Sequence, residues 1–138
     1  MGKYIPKINK LPNYIYRTTV DFIRGYDEME SELEDMIMEK HVEEIPVKNK
    51  TPGNPTAKTA ERRERKLAKV KAIDKAFNTV PAEYQGMLFD NIVYETPMEE
   101  IEGASRATLT RYRVRIIVEA AHNLEFIDDI EYGEIKTW

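Results

Sequence analysis

Four arginines fall between residues 106 and 115, at Arg106, Arg111, Arg113 and Arg115, with Thr110 among them and no acid in between. A guanidinium can pair bidentately with guanine, and a threonine offers a hydroxyl or a methyl to a base edge. Arg106, Thr110 and Arg111 are the expected base readers, because they stand at the start of the segment, where a helix enters a groove. Arg113 and Arg115 follow and suit phosphate contact. With Ser105, Ala107 and Thr108 they make up the expected DNA-contacting face. A second basic run holds Lys58, Arg62, Arg63, Arg65, Lys66, Lys69 and Lys71. Of these, Arg62, Arg63 and Lys66 are taken as phosphate contacts, which add affinity without sequence preference; the alternative is a solvated helix face.

Such arginines read DNA only if a helix presents them. Ser105 predicts the cap of a helix, and Leu109, Tyr112, Ile116 and Ala120 then recur at helical spacing as a buried stripe. Just upstream, Thr96 as N-cap, Pro97 at the first helical position and Glu99 three residues after the cap predict a short helix. Gly103 can take the left-handed conformation that ends it. A bracing helix, a sharp turn and a basic helix are the parts of a helix-turn-helix. Glu99 and Glu102 stand where such pairs ordinarily place small or apolar residues, and Ile101 is the apolar residue at hand.

The chain has 138 residues and a net charge of −4, but the charge is segregated. Asp27 to Glu44 carries nine acids and one lysine, Lys58 to Lys75 eight bases and three acids, and Glu119 to Glu134 is acidic again. Screening confines each patch to about 10 Å at ordinary salt, so a local basic face is compatible with DNA. No apolar run approaches the ~18 residues of a membrane span, and no apolar core follows Met1 as in a signal peptide. The absence of cysteine rules out disulfides and cysteine metal sites and suits a reducing cytoplasm. His41 and His122 lack a ligand constellation, and His122 reads as a favourable charge near a helix end. With no Ser/His/Asp set, glycine-rich phosphate loop or metal motif, the expectation is a non-enzyme without catalytic residues, cofactor, metal or small-molecule substrate.

The expected architecture is all-α: a long N-terminal helix plus a C-terminal helix-turn-helix bundle. Residues 1–44 read as an N-terminal helical extension, 45–57 as a linker, 58–124 as the DNA-binding domain and 125–138 as an acidic tail. Met1 to Lys10 reads as loose, and Pro12 as the opening of the first helix. Ile15, Phe22, Met29 and Met36, interleaved by Thr19, Tyr26 and Leu33, form a heptad seam for packing within the chain or for a homodimer. The prolines and glycine of residues 45–55 predict the linker, Thr56 caps the next helix, and Ala60, Leu67, Val70, Ile73, Ala76 and Phe77 are its inward positions. Pro81 opens a further helix with Tyr84, Met87, Leu88, Ile92 and Val93 inward. The tail, with Ile127, Ile130, Tyr132, Ile135 and Trp138, docks, meets a partner or stays disordered.

The chain resembles the bacteriophage-encoded RinA/ArpU-like transcriptional regulators, whose C-terminal part looks like sigma factor region 4. The resemblance covers Tyr14 to Ile37, the run Asn54-Pro-Thr-Ala-Lys-Thr-Ala60 and the basic helix after it. It continues through Ile73-Asp-Lys-Ala76, Pro81, and Thr96 to Arg113. It implies a regulator in the cytoplasm of a bacterial host that activates late phage genes by binding double-stranded DNA and engaging host RNA polymerase. Two rivals stand beside this expectation: a phage small terminase-like DNA-packaging protein, and an adaptor that binds protein only. The sequence names no operator and leaves repression open.

Overall fold

The computed structural model describes residues 5–43, 54–99 and 103–136. Among them the fold is all-α, with six helices: α1 (Asn13–Arg24), α2 (Tyr26–Glu43), α3 (Asn54–Phe77), α4 (Ala82–Tyr94), α5 (Arg106–Asn123) and α6 (Asp129–Ile135). Pro12 and Pro81 precede α1 and α4 with φ already near the helical value, and the Pro12 carbonyl accepts from the amides of Ile15 and Tyr16 at 3.0 Å.

α5 is the central helix: α1, α3, α4 and α6 all pack on it. Its stripe behaves as the spacing predicts, with Leu109, Ile116 and Ala120 fully buried and Tyr112 half-buried and stacked on Tyr84. From Val114 onward nearly every side of α5 is covered, including Ile117, Val118 and Ala121. One buried cluster runs from Leu11 to Ile127. Ile15, Tyr16, Thr19, Val20 and Ile23 of α1 are buried with it, so α1 is part of the core and not an extension of a separate domain. Residues 5–11 are likewise built in, with Pro6 and Leu11 buried, where the sequence reads as loose.

The long N-terminal helix of the sequence reading is two helices, interrupted at Gly25, whose amide turns back to the Phe22 carbonyl at 3.1 Å. Most of the seam packs inside the chain: Ile15, Thr19 and Leu33 are buried, Phe22, Tyr26 and Met29 pack on the core, and Met36 is half-buried. α3 begins at Asn54 and absorbs the last part of the expected linker, because a proline is tolerated in the first turn, where its missing N–H has no intrahelical partner. Thr56 therefore lies inside the helix instead of capping it. The carboxyl half of α3 supplies Val70, Ile73, Ala76 and Phe77 to the core, whereas Ala60 and Leu67 are exposed. α2 and α3 run antiparallel, joined by Tyr26 to Asp74 (2.5 Å) and by the Lys66–Glu32 ion pair.

The acidic tail docks. Ile127 is buried, Asp128 caps α6 through the Glu131 amide at 2.8 Å, and Tyr132 stacks on His122 at 4.0 Å while its hydroxyl meets Glu119. No helix among the described residues is long and apolar enough to cross a membrane.

Candidate nucleic-acid interface

The start of α5 has the expected cap. The Ser105 hydroxyl accepts from the Thr108 amide at 3.3 Å, with Ser105 in an extended conformation. Gly103 precedes it with φ 95°, and a Cβ there would come within 3.2 Å of the Tyr84 hydroxyl. Backbone conformation and close approach both call for glycine at this turn.

The bracing helix differs. Thr96 to Glu99 form no helix, and the helix that precedes α5 and packs on it is α4. Glu100, Ile101 and Glu102 lie outside the described residues. The end of α4 explains the difference. Glu95 takes the left-handed conformation (φ 58°), the Thr96 amide reaches the Asp90 carbonyl at 3.3 Å, and Asn91 donates to the Thr96 carbonyl at 2.8 Å. These bonds use Thr96 to finish α4, leaving its backbone unable to begin another helix, and the residue before Pro97 is in any case biased to extended geometry. Residues 95–99 form a strap, fixed at its far end by Arg106 donating to the Met98 carbonyl at 3.3 Å.

The four arginines of α5 divide into two pairs. Arg106 and Arg111 are exposed, as are Ser105 and Ala107, with Thr108 and Thr110 half-exposed. At about 100° per residue, Arg106, Ala107, Thr110 and Arg111 share an arc of about 140° on one side. Leu109 anchors the other side in the core. Arg113 is turned inward: its Nε donates to Asn91 Oδ1 at 2.7 Å, a terminal nitrogen meets the Tyr16 hydroxyl, and the guanidinium lies over the Tyr16 ring. Its place explains this, since it follows Leu109 by four residues and so shares the buried face. Arg115 is half-buried with its Nε out of solvent. Neither suits the phosphate role that the sequence suggests.

The basic run of α3 does not join this face. Asn123, the last residue of α5, donates to the Ala72 carbonyl at 3.1 Å, and Lys69 lies over Phe22, whose ring meets Phe126. Residues earlier in α3 therefore lie beyond the carboxyl end of α5, about 25 Å from Arg106 by the rise of the intervening helix. Lys66 is paired with Glu32 of α2. Arg62 is exposed and Arg63 half-buried. Lys66 faces the acidic α2, and the length of α5 keeps Arg62, Arg63 and Lys66 from forming one patch with Arg106 and Arg111.

At its carboxyl end α5 meets acid: His122 Nε2 lies 2.7 Å from Asp129 Oδ1, and α6 also carries Glu131 and Glu134. Between the ends, a groove of about 310 Å³ runs along α5, lined by Ile8, Lys10, Arg111, Val114, Arg115 and Val118 among others. Lys10 is the basic residue that sequence reasoning missed, because nothing in a short proline-containing segment foretells its docking beside α5.

Comparison with family models, with curated proteins and with solved structures finds no match to this chain.

Proposed function

We propose that this protein is a sequence-specific DNA-binding transcription regulator whose reading head is the amino-terminal turn and a half of α5. The observation that carries the reading is the exposed arc of Arg106, Ala107, Thr110 and Arg111, capped by Ser105 and held by the buried Leu109. The two guanidiniums on this well-anchored helix start have the donors and reach that major-groove readout needs, and Thr110, whose hydroxyl donates to the Arg106 carbonyl at 2.9 Å, offers its methyl. The acidic α6 packs along the carboxyl half of α5, with Ile135 on the groove beside Arg111 and Arg115, and disfavours phosphate along that half. Arg113 serves packing, so the reading rests on two arginines and Thr110.

The resemblance to RinA/ArpU-like regulators supports the finer part of this proposal: activation of late phage genes together with host RNA polymerase. Selection of bound genomic fragments with the purified protein tests it. Enrichment of a discrete element upstream of late operons is the expected result. Failure to retain any duplex at low salt would leave the protein-only adaptor. A ring-sized oligomer bound near a packaging site would favour the terminase-like rival.

A further inference from the structure

The segment before α1 is ordered by its own short-range bonds. The Asn9 amide reaches the Pro6 carbonyl at 3.0 Å, the Asn9 side chain donates to the Leu11 carbonyl at 3.0 Å, and it accepts from the Leu11 amide at 3.1 Å. An asparagine that bonds the backbone two residues on fixes a turn without helix or sheet. Pro6 and Leu11 are buried at either side, so the turn is pinned to the core and Lys7 and Lys10 are left exposed. Across the groove from Lys10 stand Arg111 and Arg115.

Residues 5–20 contain Lys7, Lys10 and Arg17 and no acid, and in the acid-free residues 103–118 Arg106 and Arg111 are exposed while Arg113 is turned inward. On α3, Lys66 is paired with Glu32 of α2, while Lys58, Arg62, Arg65, Lys69, Lys71 and Lys75 are exposed. Lys7 and Lys10 of the turn and Arg106 and Arg111 of α5 are thus exposed bases at this end of the molecule, with Lys10 and Arg111 on one groove.

We propose that the Pro6–Leu11 turn is a second DNA-contacting element, in which Lys7 and Lys10 hold backbone phosphates beside the bases addressed by Arg106 and Arg111. This rests on the DNA-binding reading above and assigns a phosphate-gripping role to the turn. Lysine acts here as a compact charge on a long stem, which suits phosphate oxygens and carries no sequence information. The turn sets where along the backbone that charge falls.

The test uses the full chain, a mixed-sequence duplex and any genomic fragment recovered by selection. Binding is measured across a salt series for the wild type, Lys10→Ala, Lys7→Ala/Lys10→Ala and Lys10→Arg, with the melting temperature of each as a fold control. The double variant should flatten the dependence of log K on log salt by about one to two units, since each phosphate that is no longer neutralised lowers the slope by roughly one. It should weaken both duplexes by the same factor, and Lys10→Arg should keep the wild-type slope. A double variant with the wild-type slope overturns the assignment while leaving α5 as the reader. A wild type that binds neither duplex at low salt rejects the DNA-binding reading and this element with it.

Discussion

Nε of Arg113 lies 2.7 Å from Oδ1 of Asn91, and the same guanidinium covers the ring of the buried Tyr16. One arginine thus ties α5 to α4 and α1. Arg113→Ala is expected to cost about 1–3 kcal/mol of stability, because it removes hydrogen bonds from a charged donor in a half-buried place. Urea unfolding measures this. DNA affinity of the folded fraction should hardly change, and a large drop in affinity with an unchanged urea midpoint would return Arg113 to the DNA face.

Arg106 and Arg111 should behave in the opposite way. Each is exposed, so truncation to alanine should move stability by no more than about 0.5 kcal/mol. Each should cost about 1–3 kcal/mol of discrimination between a cognate and a mixed-sequence duplex. Competition binding reads the difference, and equal weakening on both duplexes would reduce these residues to charge attraction.

Leu109 is fully buried directly beneath the proposed reading arc. Leu109→Ala should cost about 2–5 kcal/mol through reduced burial and the cavity left behind. Leu109→Asp should prevent folding, since it would bury an unpaired carboxylate. Circular dichroism melts decide the matter; an aspartate variant melting with the wild type would mean that α5 is packed on another face.

Two tyrosines make the α2 junction sensitive to alkali. Burial and the hydrogen bond to Asp74 push the Tyr26 phenol far above its ordinary value near 10, and the bond to Asp27 raises Tyr94. The folded state holds these protons more tightly than the unfolded chain. Their contribution is therefore whole below about pH 10 and is lost as pH rises through the folded-state values. Wild-type stability should fall above about pH 10, and Tyr26→Phe/Tyr94→Phe should decline less steeply there. Parallel slopes for the two proteins would show that neither phenol contributes through its proton.

Lys66 gives a further contrast. Its ammonium already has Glu32, so Lys66→Ala should leave the salt dependence of DNA binding at the wild-type slope and loosen the α2–α3 pairing slightly. A slope lower by about one unit would place α3 on the duplex after all.

What the sequence determined by itself was local. The Ser105 cap, the left-handed Gly103, the stripe of Leu109, Ile116 and Ala120, and the proline starts of α1 and α4 each depend on a few neighbouring residues. An all-α fold follows from their sum. The tertiary structure decided what competition between distant groups decides. Thr96 carries a good capping signal, yet Asp90 and Asn91 take its backbone to finish α4. Arg113 and Arg111 are the same residue type two positions apart; helical position sets them on different sides, and Tyr16 and Asn91, brought from α1 and α4, claim Arg113 for packing. Lys66 looks like a phosphate contact until Glu32 of α2 is laid against it, and the plain segment before α1 gains its interest only when its turn is docked beside α5. Charge and capping are written along the chain, whereas the partner that claims each group is set by which surfaces the hydrophobic core forces together.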